Sequence, residues 1–358
     1  MAIIRSSIQT PFDPSTLKAE VKNATIGQLV EMLRNNLIDL TPEFQRNPDL
    51  WGKKKKSQLV ESILLGLPLP SFYFYIDDIN KKWVVIDGLQ RLCALKSFMI
   101  DQDLSLSGLE FLENKYLNKC FKDFDYYDQL SISMHPVTLN VLTGDTSAEA
   151  RYIIFQRVNS KATTLNPEEM RNALYRGKAT SLISDICSLP LFCELVTNFV
   201  STKRMKEKGF ASQFITFYVN NLDIMNWSKL DLFIGSTMNY INHHFSDDDV
   251  AEILDGCNNA LNICKQLLGI GAFRNPTQGN KKKPIAISIF VMLTVSIARL
   301  TDEEQKKLVS RASEFNRNYL SIFEDTILLK YLSDGTGKKT AIQYRLNKMN
   351  QVLSQTLK

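Results

Sequence analysis

The sequence predicts an α+β chain: a mixed first part to about residue 178, then a mostly α-helical second part. Three observations carry this. The strand-like runs Phe72–Ile76, Trp83–Ile86 and Val137–Leu142 all lie in the first part. Beyond residue 180 strand signals fade and long helical patterns take over. Gly (15) and Pro (11) are about 7% of the chain, below the usual roughly 12%, which suits many helices and excludes collagen-like or low-complexity sequence. With 358 residues, two domains are expected, 22–178 and 179–358, behind an N-terminal arm at 1–21.

The elements follow in order. Thr25 and Gln28 have capping-box spacing and open a helix from Ile26 to about Asn35. Leu37–Leu40 is short, β-compatible and stopped by Pro42. Between Lys53 and Leu65, Leu59, Ile63 and Leu64 fall at helical spacing, and Gly66 closes the helix. Phe72–Ile76 and Trp83–Ile86 read as a hairpin, Asp87-Gly88 breaks its second strand, and a helix runs from about Gln90 to Met99. Thr146 and Glu149 form a second capping box for a helix ending near Val158. Asn166-Pro167-Glu168-Glu169 is a helix start, with Asn at the cap, Pro at the first position and acids in the first turn; that helix stops at Gly177. Polar breaks are expected at Ser201–Gly209, Asn275–Lys283 and Ser333–Lys339. Ile285–Ala298, only 14 residues and containing Ser288, Thr294 and Ser296, is a buried helix rather than a membrane span.

Composition narrows function. The net charge, 43 − 38 = +5, permits a polyanionic partner. No CxxC pair occurs among the six cysteines, which argues against a zinc ribbon or thioredoxin-type site and for buried thiols. Three histidines, His135, His243 and His244, are too few for a His-rich metal hydrolase. The start carries no long apolar segment, so no signal peptide, no membrane association and a cytoplasmic location are expected. Walker A and GxSxG sequences are absent.

Four segments offer chemistry. In Val84-Val85-Ile86-Asp87-Gly88-Leu89-Gln90-Arg91-Leu92 a buried strand meets a tight turn and a helix N-terminus, where free N–H groups favour an anion. Arg91 there offers a fork for a phosphate, and Asp87 a carboxylate for a divalent ion or a water. The plainer alternative is that Asp87 caps the helix and Arg91 pairs with a nearby carboxylate. Phe44-Gln45-Arg46 with Trp51 precedes the run Lys53, Lys54, Lys55, Lys56, either a phosphate grip or a solvated face. Phe155-Gln156-Arg157-Val158-Asn159 ends a helix, and Arg171 shares a face of the next with Tyr175. Lys203-Arg204-Met205-Lys206 is a compact basic loop, either a DNA contact or a solvated turn.

Taken together, these segments resemble the ParB-like N-terminal domain of GmrSD-type, modification-dependent (Type IV) restriction endonucleases. Phe44-Gln45-Arg46 resembles the opening motif, Leu59–Pro70 the helix-and-proline segment, and Asp87-Gly88-Leu89-Gln90-Arg91 the signature Asp-Gly-Gln-Gln-Arg. Phe155–Asn159 and Leu165–Tyr175 resemble the later Arg/Asn pair and Arg-Asn-Ala helix. The resemblance implies a ParB/sulfiredoxin-like fold and a role in defence against foreign DNA. It implies catalytic roles for Asp87, Gln90 and Arg91, and a nucleotide or phosphate pocket completed by Arg46, Gly88, Arg157, Asn159 and Arg171. NTP and Mg²⁺ are the implied cofactors, with no residue assigned to the metal. DNA is the implied partner, gripped through Lys53–Lys56, Lys203 and Arg204, with a partner nuclease or further copies of the chain beside it. The other reading is a non-catalytic DNA-binding or modified-DNA sensor module, or a scaffold with a fossil pocket. Leu89 departs from the signature, Gly209 and Gln213 stand where an acid and a second arginine are often found, and the family's His-metal nuclease domain has no counterpart here.

Overall fold

The computed structural model describes residues 19–40, 51–76, 81–142, 148–158, 166–222, 227, 229–276 and 284–358. The chain forms two compact units, Phe12–Leu165 and, beyond it, Asn166–Lys358.

In the first unit the order is β1 (Ala19–Thr25), α1 (Ile26–Arg34), β2 (Ile38–Asp39), α2 (Lys53–Leu64), β3 (Phe72–Ile76), β4 (Trp83–Asp87), α3 (Leu89–Leu95), α4 (Glu113–Tyr116), α5 (Tyr126–Met134), β5 (Pro136–Leu142) and α6 (Ala148–Val158). Helix α3 runs on into a wider π-helical turn at Lys96–Ile100. The strands form one mixed sheet, β1-β5-β3-β4-β2. Antiparallel pairs join β1 to β5 and β3 to β4, and parallel pairs join β3 to β5 and β2 to β4.

One sheet face carries the core. Phe72, Phe74, Val85, Val137, Leu139 and Val141 pack with Ile26, Leu29, Val30 and Leu33 of α1, Leu59, Val60 and Ile63 of α2, and Leu92 and Leu95 of α3. The alternation of strand side chains sends Tyr75, Val84 and Ile86 to the opposite face. Helix α6 packs on β4 there, with the Arg151 guanidinium 5.4 Å from the Tyr75 ring centre.

The expected hairpin, the α1 capping box and the β5 strand are all present. One element departs from expectation. Residues 19–21, placed in the arm, begin β1, whose first five residues are exposed. A polar edge strand has no buried face and so no apolar alternation to read.

In the helical unit, α7 is Pro167–Leu174, α8 Lys178–Ser188, α9 Pro190–Leu195, α10 Lys206–Val219, α11 Leu230–His244, α12 Asp247–Leu268, α13 Ile287–Ala298, α14 Asp302–Ser310, α15 Ala312–Ser321, α16 Thr326–Ser333 and α17 Lys339–Leu357. Helix α13 is buried from Ser288 to Ala298 and packs against α10, α12 and α17, as its uniformly apolar sequence expects. The units part at Asn166, ahead of the boundary expected near 178, and α7 packs on α10 within the second unit. The break expected at Ser201–Gly209 is shorter, since α10 starts at Lys206. Among the described residues no single helix is long and apolar enough to cross a membrane. The six cysteines form no disulfide among the described residues.

Candidate functional site

The turn after β4 is built by three features. Tyr73 pairs with Asp87 and Phe74 with Val85, so Ile86 is an extra residue on β4, and this bulge sets the direction in which Asp87 leaves the sheet. Gly88 follows at φ +102°, where only glycine is unstrained. A Cβ there would sit 2.4 Å from Phe72 Cδ1 and 3.2 Å from Arg91 Nη2. Helix α3 then begins at Leu89, and the Leu92 N–H donates to Gly88 O at 2.9 Å.

Arg91 reaches back over this turn. Its Nη2 donates to Asp87 Oδ2 at 2.9 Å and to Ser71 O at 3.2 Å, and its Nη1 donates to Pro70 O. The guanidinium carbon stands 4.4 Å from the centre of the buried Phe72 ring. Burial lowers the Arg91 pKa from its ordinary value, and the Asp87 carboxylate opposes that shift; the group stays a cation at neutral pH. Of the two roles open to Arg91, pairing with a nearby carboxylate is the one its hydrogen bonds take. Asp87 is 37% exposed, and its Oδ1 has no partner among the described residues. Gln90 Oε1 accepts from the Trp51 N–H at 3.1 Å, tying the helix start to the chain ahead of α2. Leu89 lies in the apolar core, so this position contributes no polar contact to the turn.

Arg46 and Asn159 lie outside the described residues. Arg157 is exposed in the last turn of α6. Arg171 belongs to the helical unit, where it is buried, pairing with Asp231 Oδ1 at 2.6 Å and with Glu168. Burial raises the Glu168 pKa from its ordinary value, and Arg171 opposes the shift. Lys53, Lys54 and Lys55 are exposed at the start of α2, with Lys55 Nζ 4.7 Å from the Trp51 ring centre. Lys56, grouped with them in the sequence, is buried and donates to Ser97 Oγ at 3.2 Å. A four-residue run covers more than one helical turn, so one lysine must face the core. The Lys203 side chain lies outside the described residues, and Arg204 pairs with Glu169 Oε2 at 2.9 Å.

Glu61 was not singled out in the sequence. It sits buried on α2, and its Oε1 accepts from the N–H groups of Glu110, Phe111 and Leu112 at 2.9, 2.7 and 2.8 Å. Burial raises its pKa, and the three backbone donors outweigh that, leaving it below the usual glutamate value. The signal was an acid at a core-facing position of an amphipathic helix, between Val60 and Ile63.

No group of three or more His, Cys, Asp or Glu suited to a metal occurs among the described residues. Asp87 alone fits Mg²⁺ only as that ion is commonly held, by one carboxylate together with phosphate oxygens.

No curated protein and no solved structure matches the chain at a significant level. The family described as GmrSD restriction endonuclease, N-terminal domain, matches from Ile26 at the start of α1 to Arg176 just past α7, and so takes in the whole Asp87–Arg91 turn. Over residues 26–176, less than half of its length, the chain is similar to the GmrSD restriction endonuclease N-terminal domain.

Proposed function

We propose that the chain is a DNA-directed defence protein of the GmrSD type, in which the Asp87–Arg91 turn binds the phosphates of an NTP together with Mg²⁺. The observation that carries this reading is the division of labour within the Asp87 carboxylate. Arg91 holds Oδ2, while Oδ1, on a side chain that is 37% exposed, has no partner among the described residues. Arg91 acts as a positioning residue that fixes the carboxylate and neutralises part of its charge. Gly88 gives the turn its left-handed backbone and leaves room for the Phe72 ring and the Arg91 guanidinium packed against it. Mg²⁺, when bound, supplies charge neutralisation for the phosphate oxygens.

The test is phosphate release over the four NTPs, with and without duplex DNA, alongside nucleotide binding. Turnover or Mg²⁺-dependent binding that disappears in Asp87→Asn, with folding intact, supports the reading. NTP binding that ignores both Mg²⁺ and Asp87 overturns it. A second reading, a non-catalytic sensor of modified DNA, is favoured by Leu89, whose burial leaves the turn one polar group short of the family signature. DNA binding without turnover selects that reading.

A further inference from the structure

Helix α5 turns Ile132 to the core, packs on α1 and α2, and presents an outward face that is mostly apolar, with Ser131 its one exposed polar residue. Tyr126, Tyr127, Leu130 and Met134 recur at helical spacing there, and Tyr127 is 80% exposed. An ordinary surface helix carries charged residues on this face. Two further exposed apolar residues, Phe111 and Leu117, bracket α4, which is tied to α5 by Lys115 and Tyr116 on Asp128. Phe111 is 74% exposed although its backbone N–H is pinned by the buried Glu61 carboxylate. An exposed aromatic on a fixed backbone loses little freedom when it is covered.

We propose that this face is the contact between two copies of the chain, with α5 packed antiparallel on α5 of the second copy about a twofold axis at Leu130. Two features of the patch select a second copy as the occupant. The first is area. The six side chains are 42–80% exposed and together offer roughly 700 Å², close to the roughly 800 Å² per partner of a standard interface. The second is self-complementarity. A twofold places a stripe against its own reverse, and this stripe reads nearly the same from either end of Leu130, with Tyr126 and Tyr127 three to four residues before it and Met134 four after. Leu130 then meets Leu130, and each Tyr127 meets a Met134, an aromatic–thioether contact. The outward face of α5 carries no charged residue, so the twofold forces no like-charge pair across the seam.

The experiment is sedimentation or light scattering on the full chain over a micromolar concentration series, with thermal unfolding as the control for folding. The wild type should give the mass of two chains, and Leu130→Asp the mass of one with an unchanged melting temperature. Tyr127→Glu and Met134→Lys should each dimerise poorly alone, and an equimolar mixture should recover the dimer, because one glutamate then faces one lysine and the other contact is wild type. A wild type that stays monomeric, a Leu130→Asp variant that keeps the dimer mass, or a mixture that fails to recover it overturns the proposal.

Discussion

Arg91 donates from Nη2 to Asp87 Oδ2 at 2.9 Å, one helical turn back across Gly88, while the same guanidinium also holds the carbonyls of Pro70 and Ser71. The pair therefore fastens three pieces of chain: the end of β4, the start of α3 and the segment leading into β3. Its stability and any ligand chemistry are coupled through one side chain.

Arg91→Ala should destabilise the protein by about 2–4 kcal/mol, since it removes a charge-assisted pair, leaves two carbonyls short of a donor and uncovers Phe72. Arg91→Lys keeps the charge without the fork and should cost about 1–2 kcal/mol. Denaturant unfolding measures both. An unchanged midpoint for the alanine variant would return Arg91 to the role of a waiting phosphate ligand.

Gly88→Ala should cost about 2–4 kcal/mol, because alanine is strained at φ +102° and its Cβ meets the buried Phe72 ring. Gly66 is also at positive φ but has open space around it, so Gly66→Ala should cost only about 1 kcal/mol. Comparing the two by thermal unfolding isolates the steric part.

Glu61→Gln should cost about 2–4 kcal/mol at neutral pH, as an amide cannot accept from three backbone N–H groups as a carboxylate does. The Glu61 pKa is lowered in the folded protein, so its contribution is complete above the unfolded glutamate pKa and is lost as pH falls through the lower folded value. The gap between wild type and variant should therefore close on acidification below pH about 4. A gap that widens in acid would show that Glu61 folds in protonated.

Should duplex DNA bind through the start of α2, exchanging Lys53, Lys54 and Lys55 together for alanine should weaken it and reduce the slope of log K against log salt by about 3. Lys56→Ala should leave that slope unchanged and lower the melting temperature instead, since its ammonium bonds Ser97. Fluorescence anisotropy across a salt series reads the first effect, and thermal unfolding the second.

What was legible in the sequence was local. The Thr25–Gln28 and Asn166–Glu169 capping boxes involve neighbours three apart, and both formed. The hairpin and the break at Asp87-Gly88 were readable because β-branched and aromatic runs end in turn residues. What was hidden depends on partners far along the chain. Glu61 meets its donors some fifty residues later, and Arg91 finds Pro70 and Ser71 twenty residues earlier. The bulge at Ile86 leaves no mark on a strand buried on both faces, where apolar residues run without alternation. Lys56 was misread with its neighbours because a charge run hides helical phase.

The strand order also governs how the first unit comes into being. Strand β5 lies between β1 and β3, yet it is the last of the five in the chain, and Ala19 pairs with Leu142. During synthesis β3, β4 and β2 can assemble from nearby sequence, whereas β1 has no neighbour until residues 136–142 emerge. Closing so long a loop makes this step slow. Until then β3 offers a bare edge with Phe72 and Phe74 on its inner face. A chain halted before Pro136 would present that edge to its neighbours and aggregate, while one that passes Leu142 seals both sides of the gap at once.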